Sequence, residues 1–156
     1  MSKIFKKVQV WIALGLPEER KKILLFKVIP ERGQGWHPVT GSVEGRESLL
    51  SAAKRETAEE TGLRVNLKKC KWYDLNYSFE FEGRWGKCAE NGFGLWICQS
   101  NALLKKEEYP TITLDPREHL KFKWVSVSDA KKTIQYPHQK KVLNLFYEKL
   151  RNPSRS

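Results

Sequence analysis

The chain has 156 residues, and its 29 Lys and Arg against 18 Asp and Glu give a formal net charge of +11. That length suits one domain able to bury a real core, and no membrane-length apolar run points to a bilayer-spanning protein. Cys70, Cys88 and Cys98 are odd in number and lack CxxC spacing, so neither a disulfide framework nor a zinc site is expected, and a reducing cytoplasm fits best.

The basic start MSKIFKK runs into VQVWIAL at residues 8 to 14, where Gln9 interrupts the apolar run and no small-residue cleavage site follows; this reads as a first strand, not a targeting peptide. KILLFKVI, 22 to 29, reads as a second strand across a turn carrying Gly15 and Pro17. PERGQGW follows as a Gly-rich loop, then HPVTGSV as an extended segment. A helix is expected from Leu49 to Thr61, framed by Ser48 as N-cap and Gly62 as C-terminal stop. WYDLNYSFEF, 72 to 81, and GLWICQS, 94 to 100, predict a long hairpin turning through EGRWGKCAENG. HLKFKWVSV, 119 to 127, alternates like a half-buried strand, after which Ser128 is the expected cap of a short helix starting at Asp129. A last helix over Gln139 to Arg151 carries an apolar stripe of Val142, Leu143, Phe146 and Leu150. No repeat or linker appears, so residues 1 to 151 read as one α+β domain with a mixed sheet, and 152 to 156 as a short tail.

The helix at 49 to 61 poses an electrostatic problem. At about 100° per residue, Glu56, Glu59 and Glu60 fall within an arc of roughly 100°, beside the core-facing Leu49, Leu50, Ala53 and Thr57. Like charges at such spacing repel. Arg55 can pair with one of them, which leaves the cluster under-neutralised; a hard divalent cation such as Mg²⁺ would complete it. A solvated acidic helix face is the other reading of the same spacing.

GSVEGRESLLSAAKRETAEETGL, 41 to 63, resembles the Nudix box GX5EX7REUXEEXGU at Gly41, Glu47, Arg55, Glu56, Glu59, Glu60 and Gly62, with Leu63 at the last aliphatic position. Thr57 stands where an aliphatic residue is usual, and Arg46 where glycine is common, with Gly45 one position earlier. The resemblance implies the Nudix fold, an α/β/α sandwich with a mixed central sheet, and a hydrolase acting on phosphoanhydrides with Mg²⁺ or Mn²⁺. By matched position it implies Glu56, Glu59 and Glu60 as metal ligands, with the Thr40 carbonyl as a further one. Arg55, Glu47, Gly41 and Gly62 would brace the loop and helix.

GWHPVTGSVEGRE and REHLKFKWV, 117 to 125, resemble segments of the bacterial dihydroneopterin triphosphate pyrophosphohydrolase branch, also described by activity on dATP. That match implies Glu118 as general base or added ligand, with Glu59 the catalytic candidate within the box. The implied reaction converts a nucleoside or pteridine triphosphate to monophosphate and pyrophosphate, a step of folate synthesis if the pteridine is the substrate. Trp36 and Phe93 are possible ring-stacking residues, Phe93 with Trp85 and Trp96 fitting packing or hairpin roles better. Lys27 and Arg32 lie where a cation meets phosphate. His37, His119 and His138 form no metal-ligand pattern and are given no role. A small-molecule phosphoanhydride is the implied partner, with no membrane partner. The basic pairs Lys21-Lys22, Lys68-Lys69, Lys105-Lys106, Lys131-Lys132 and Lys140-Lys141 also allow RNA, either as a 5′-pyrophosphohydrolase substrate or as ligand of an inactive binding module. Nucleotide-pool sanitation is a further alternative, although the intact REUXEE core argues for an enzyme.

Overall fold

A computed structural model describes residues 3–63, 70–98 and 109–152. The Lys68-Lys69 and Lys105-Lys106 pairs, the end of the expected 94–100 strand and residues 153–156 of the expected tail lie outside the described residues. The chain order is β1 (Phe5–Leu14), β2 (Lys22–Val28), a 3-10 turn (Pro30–Arg32), β3 (Trp36–His37), β4 (Val39–Ser42), α1 (Leu49–Thr61), β5 (Cys70–Gly83), β6 (Gly86–Ile97), β7 (His119–Ser126), α2 (Val127–Thr133) and α3 (Pro137–Arg151).

Alternation along β1 sets the layers, because successive side chains of a strand point to opposite faces. Val8, Val10, Ile12 and Leu14 join Ala52 and Ala53 of α1 in one core, together with Phe93, Leu95 and Ile97. Trp11 and Ala13 join Ala130 and Ile134 behind α2, and Val142, Leu143, Phe146 and Leu150 of α3, in the other. The result is an α/β/α sandwich on a mixed sheet, as expected. Full burial of each large apolar side chain contributes about 1.5–3 kcal/mol. The α3 stripe approaches β6 so closely that a Cβ at Gly92 would meet Val142 and one at Gly94 would sit on the Phe146 ring.

The sheet forks at β1. One edge of β1 pairs in parallel with β6 over its whole length. The other edge pairs antiparallel with β4 through Lys7–Val10 and with β2 only at Ala13 and Leu14. β2 meanwhile pairs with β7 and β3, so the chain from Trp36 to Ser42 crosses between the two branches. The fork leaves room beside β4 and the far end of β2.

Three local expectations move. The 5-to-6 hairpin is tighter than the Gly and Asn content suggested: Lys87 to Asn91 pair within the ladder, and only Arg84 and Trp85 separate the strands. Gly92, expected in the turn, serves helix packing instead, as does Gly94 within the strand. The cap of α2 is Ser126, whose Oγ accepts from the Asp129 N–H at 3.0 Å, in place of Ser128; the strand passes directly into the helix. α3 starts at Pro137, two residues before the expected Gln139, since proline at the first helical position loses no intrahelical bond. Among the described residues no helix is long and apolar enough to cross a membrane.

Candidate functional site

α1 has the expected bounds, with Ser48 Oγ accepting from the Ser51 N–H at 3.1 Å. Gly62 closes the helix in the left-handed region at φ 67°, where a Cβ is disfavoured and would also crowd Thr113. The Thr113 N–H donates to Thr61 O at 2.7 Å, which fixes the segment leading to β7 over this helix end.

Helical period explains how differently the three carboxylates are placed. Glu60 continues the Ala53–Thr57 stripe into the core and its side chain is 5% exposed; Glu56, at the stripe's edge, is 12% exposed, and Glu59, turned outward, 59%. Gly41 is required here because a Cβ on it would overlap the Glu56 carboxyl.

Arg55 gathers the loop and the helix. Its Nη2 donates to Glu47 Oε1 at 2.7 Å and to the Ser42 carbonyl at 2.8 Å, while Nη1 donates to Glu56 Oε1 at 2.9 Å and Glu59 Oε2 at 3.1 Å. Glu44 lies 3.7 Å from Nη1, so one guanidinium serves four carboxylates rather than the one expected. Hydrogen bonds from Arg55 and the Glu44 N–H lower the Glu47 carboxyl below its ordinary range, and Glu47 raises that of Arg55. Burial pushes Glu56 up, with Arg55 acting in the opposite direction.

At the other end of the cluster Arg32 reaches Glu118, and among the described residues no Lys or Arg pairs with Glu60. Burial, with the carboxyls of Glu118 and Glu56 nearby, pushes Glu60 up to about 10. Its Oε2 is buried and without a hydrogen-bond partner among the described residues. Glu60, Glu118 and His119 present ligand atoms all within 4.8 Å of one another. His119 Nε2 stands 3.9 Å from Glu60 Oε2, its ring rests on Phe26, and burial lowers its pKa, which favours the neutral imidazole. Glu118 sits in the turn before β7, where its carbonyl accepts from the Ile29 N–H at 3.0 Å and Arg32 Nη2 lies 3.1 Å from its Oε1.

A cleft of about 260 Å³ opens on this cluster, with Thr40, Arg32, Glu60, Glu118 and His119 at one end and Lys7, Glu90, Tyr136, His138 and Gln139 at the other. A neighbouring recess of about 290 Å³ holds Glu44, Glu56 and Glu59 and shares Arg32 and Glu118 with it. The fold thus brings together the expected Thr40, Arg32, Glu56, Glu59, Glu60 and Glu118 around one wall. Trp36 and Lys27 do not line the cleft: Trp36 packs at the margin of the α2/α3 core, with Lys123 Nζ 4.2 Å from its ring centroid. Phe93 and Trp96 are buried and Trp85 is exposed. Sequence reasoning missed His119, Glu90, His138 and Gln139. An acid at 90 amid a strand's buried face was the signal available for one of them.

A buried carboxylate with an unpartnered oxygen needs a counter-charge, and the oxygen-rich donor set suits a hard divalent cation. The residues present therefore fit Mg²⁺ or Mn²⁺. The family model described as the NUDIX domain matches residues 6–146. The dihydroneopterin triphosphate diphosphatase of Haemophilus influenzae is 31% identical over 105 residues, 61% of this chain and 60% of that protein. A Myxococcus xanthus protein named octanoyltransferase is 48% identical over 65 residues, 42% of this chain and 16% of that protein. The chain thus spans less than two thirds of either relative. A solved Ap4A hydrolase from C. elegans, in a binary complex, superposes with a TM-score of 0.73 at 22% identity, covering 94% of this chain and 98% of that one, a likeness of fold.

Proposed function

The chain belongs to the NUDIX family, and from that premise we propose that it is a divalent-metal-dependent pyrophosphohydrolase cleaving a nucleoside or pteridine triphosphate to the monophosphate and pyrophosphate. The observation that carries this is the buried, unpartnered Glu60 oxygen beside Glu118 and His119, in a cleft also lined by Thr40 and Arg32. Glu56, Glu59 and Glu60, with the Thr40 carbonyl, would hold Mg²⁺ or Mn²⁺. When bound, the metal supplies Lewis acidity toward phosphate oxygens and lowers the pKa of its water.

The chain's own residues do the rest. Arg55 keeps the 42–47 loop against α1, so that the carboxylates retain their relative positions. Arg32 orients Glu118, and a Glu118 oxygen, or a Glu59 oxygen across the shared recess, accepts the proton of the attacking water. Arg32 supplies positive charge to a phosphate chain at an otherwise acidic wall. The pteridine option is supported by the H. influenzae relative, and an RNA 5′-end option by the +11 charge.

The test is phosphoanhydride cleavage, with and without Mg²⁺, read as pyrophosphate released from dihydroneopterin triphosphate, common NTPs and dNTPs and 5′-triphosphorylated RNA and as mononucleotides formed from Ap4A, with Glu60→Gln as control. Metal-dependent release lost in the variant is expected. Absence of metal-dependent cleavage of every member would overturn the assignment, and preference for RNA, falling steeply with salt, would transfer it to the second option.

A further inference from the structure

The end of the cleft away from Glu60 is built from groups that hydrolysis does not use. Lys7 and Gln9 of β1 lie on one face with Glu90 of β6, since Lys7 is paired with Glu90. Glu90 is 6% exposed. Trp11 Nε1 donates to Gln9 Oε1 at 2.7 Å, which fixes the Gln9 amide so that its Nε2 donates to Glu90 Oε2 at 2.9 Å. His138 Nε2 lies 3.4 Å from the same Oε2. Among the described residues, no hydrogen bond or ion pair engages the remaining oxygen, Oε1.

A second acceptor lines the same cleft. His37 Nε2 is 2.6 Å from the Gln34 carbonyl, which can only accept, so Nε2 carries a proton, and in the tautomer with that one proton Nδ1 is an acceptor. Gln139 Nε2, 3.1 Å from that Nδ1, is the donor to it in this tautomer. Gln139 Oε1 is left buried and unpartnered, in a side chain of a residue 4% exposed. Buried acceptors without partners are costly and uncommon. The surrounding lining is aromatic: the His138 ring stacks on Phe79 at 4.5 Å and 4°, and His37 on Tyr136 at 5.5 Å.

Resting on the pyrophosphohydrolase reading of this cleft, we infer that Glu90 and Gln139 form a ring-edge subsite selecting a 2-amino-4-oxo heterocycle, the edge shared by guanine and pterins, over an adenine-type ring. That edge offers a ring N–H and an amino group as adjacent donors, complementary to acceptors only. Adenine offers one amino group beside an unprotonated nitrogen, whose lone pair would oppose an oxygen. The negative Glu90 also excludes phosphate from its end of the cleft, so the chain of phosphates lies toward Arg32. Thr40 on β4 is paired with Gln9 on β1, and β6 is the next strand, so the two ends are separated by two interstrand spacings, about 10 Å. That leaves room for the group joining ring to phosphate.

The test is calorimetric binding, in Mg²⁺, of the α,β-imido triphosphates of guanosine and adenosine. Wild-type protein is expected to bind the guanosine compound at least roughly tenfold tighter, the discrimination of one well-placed donor–acceptor pair. In Glu90→Gln, Gln9 retains the new carbonyl and the amide NH₂ replaces Oε1, so the preference should fall below about threefold, chiefly through lost guanosine affinity. Gln139→Leu should reduce it as well and stands in if Glu90→Gln does not fold. Equal wild-type affinities, or a preference unchanged in both variants, would overturn the subsite. Turnover separates the two readings: ring preference without hydrolysis of any triphosphate leaves the subsite and removes the hydrolase, whereas hydrolysis without ring preference does the reverse.

Discussion

Around Arg55, four carboxylates converge on one guanidinium that also holds the Ser42 carbonyl; one helical turn further on, Glu60 faces Glu118, Glu56 and a His119 whose burial disfavours charge. Both regions are acidic and both belong to α1. In the first, four carboxylates share one cation, which locks the loop and the helix together. The second is left with a protonated acid or a need for a cation from outside. Carboxylates that share Arg55 hold the loop on the helix, and the carboxylate that Arg55 does not reach is available for binding.

The comparison breaks most directly at the second region. Glu60→Gln should lower kcat/KM by at least roughly 100-fold, since a metal ligand contributes more than a supporting residue, while raising the melting temperature of the metal-free chain. Parallel losses of activity and stability would mean that Glu60 is structural. Glu118→Gln should cost roughly 100-fold or more in kcat if it is the base, with Mn²⁺ affinity changing far less; unchanged kinetics would remove it from that role.

Arg55→Ala attacks the first region instead. It should reduce activity roughly 10- to 100-fold and destabilise the fold by about 2 kcal/mol, discounted for the partial exposure of the pairs it breaks, a drop of roughly 4 to 8 °C. Saturating Mg²⁺ should restore part of that loss by relieving the same carboxylates.

A pH series sharpens the contrast. Glu60 titrates ordinarily at 4.5 and is pushed up to about 10 in the fold. Between those values the folded state holds a proton that the unfolded state lacks. The Glu60 contribution is therefore fully present below pH 4.5 and lost as pH rises toward 10, by up to about 1.4 kcal/mol per pH unit for one proton. Melting of metal-free protein from pH 5 to 9 should show this decline, and Glu60→Gln should flatten it. The smallest effect belongs to residues outside both regions: Trp36→Leu and Lys27→Gln should alter kcat/KM by less than about threefold, within the range of surface changes, and a larger loss would place them at the substrate.

Much of the first region was legible in the sequence because its determinants are local. Ser48 and Gly62 bound α1 through caps, and the 3.6-residue period places Glu56, Glu59 and Glu60 relative to one another. The α+β class with a mixed sheet was legible from the strand patterns and the apolar stripe of α3, and the α/β/α layering came with the resemblance to the Nudix box. Sheet order was not legible: nothing local says that β1 pairs in parallel with β6 and divides its other edge between β4 and β2. The same long-range pairing brings Glu118 and His119 to Glu60 from a distant stretch, and Glu90 to Gln9. His119 was passed over because three histidines lacked ligand spacing, although its role depends on burial beside Phe26. The Ser126 cap was displaced by where β7 ends, which propensity alone does not fix.

The central claim, that the carboxylate left over at Glu60 is a cation site, is tested most directly by titrating Mn²⁺ into metal-free protein at pH 7 and counting the protons released per ion bound. The expected result is about one proton per ion in the wild type, because a ligand must ionise to bind, with that release lost and affinity weakened in Glu60→Gln. Equal affinity and equal proton release in the two proteins would contradict it.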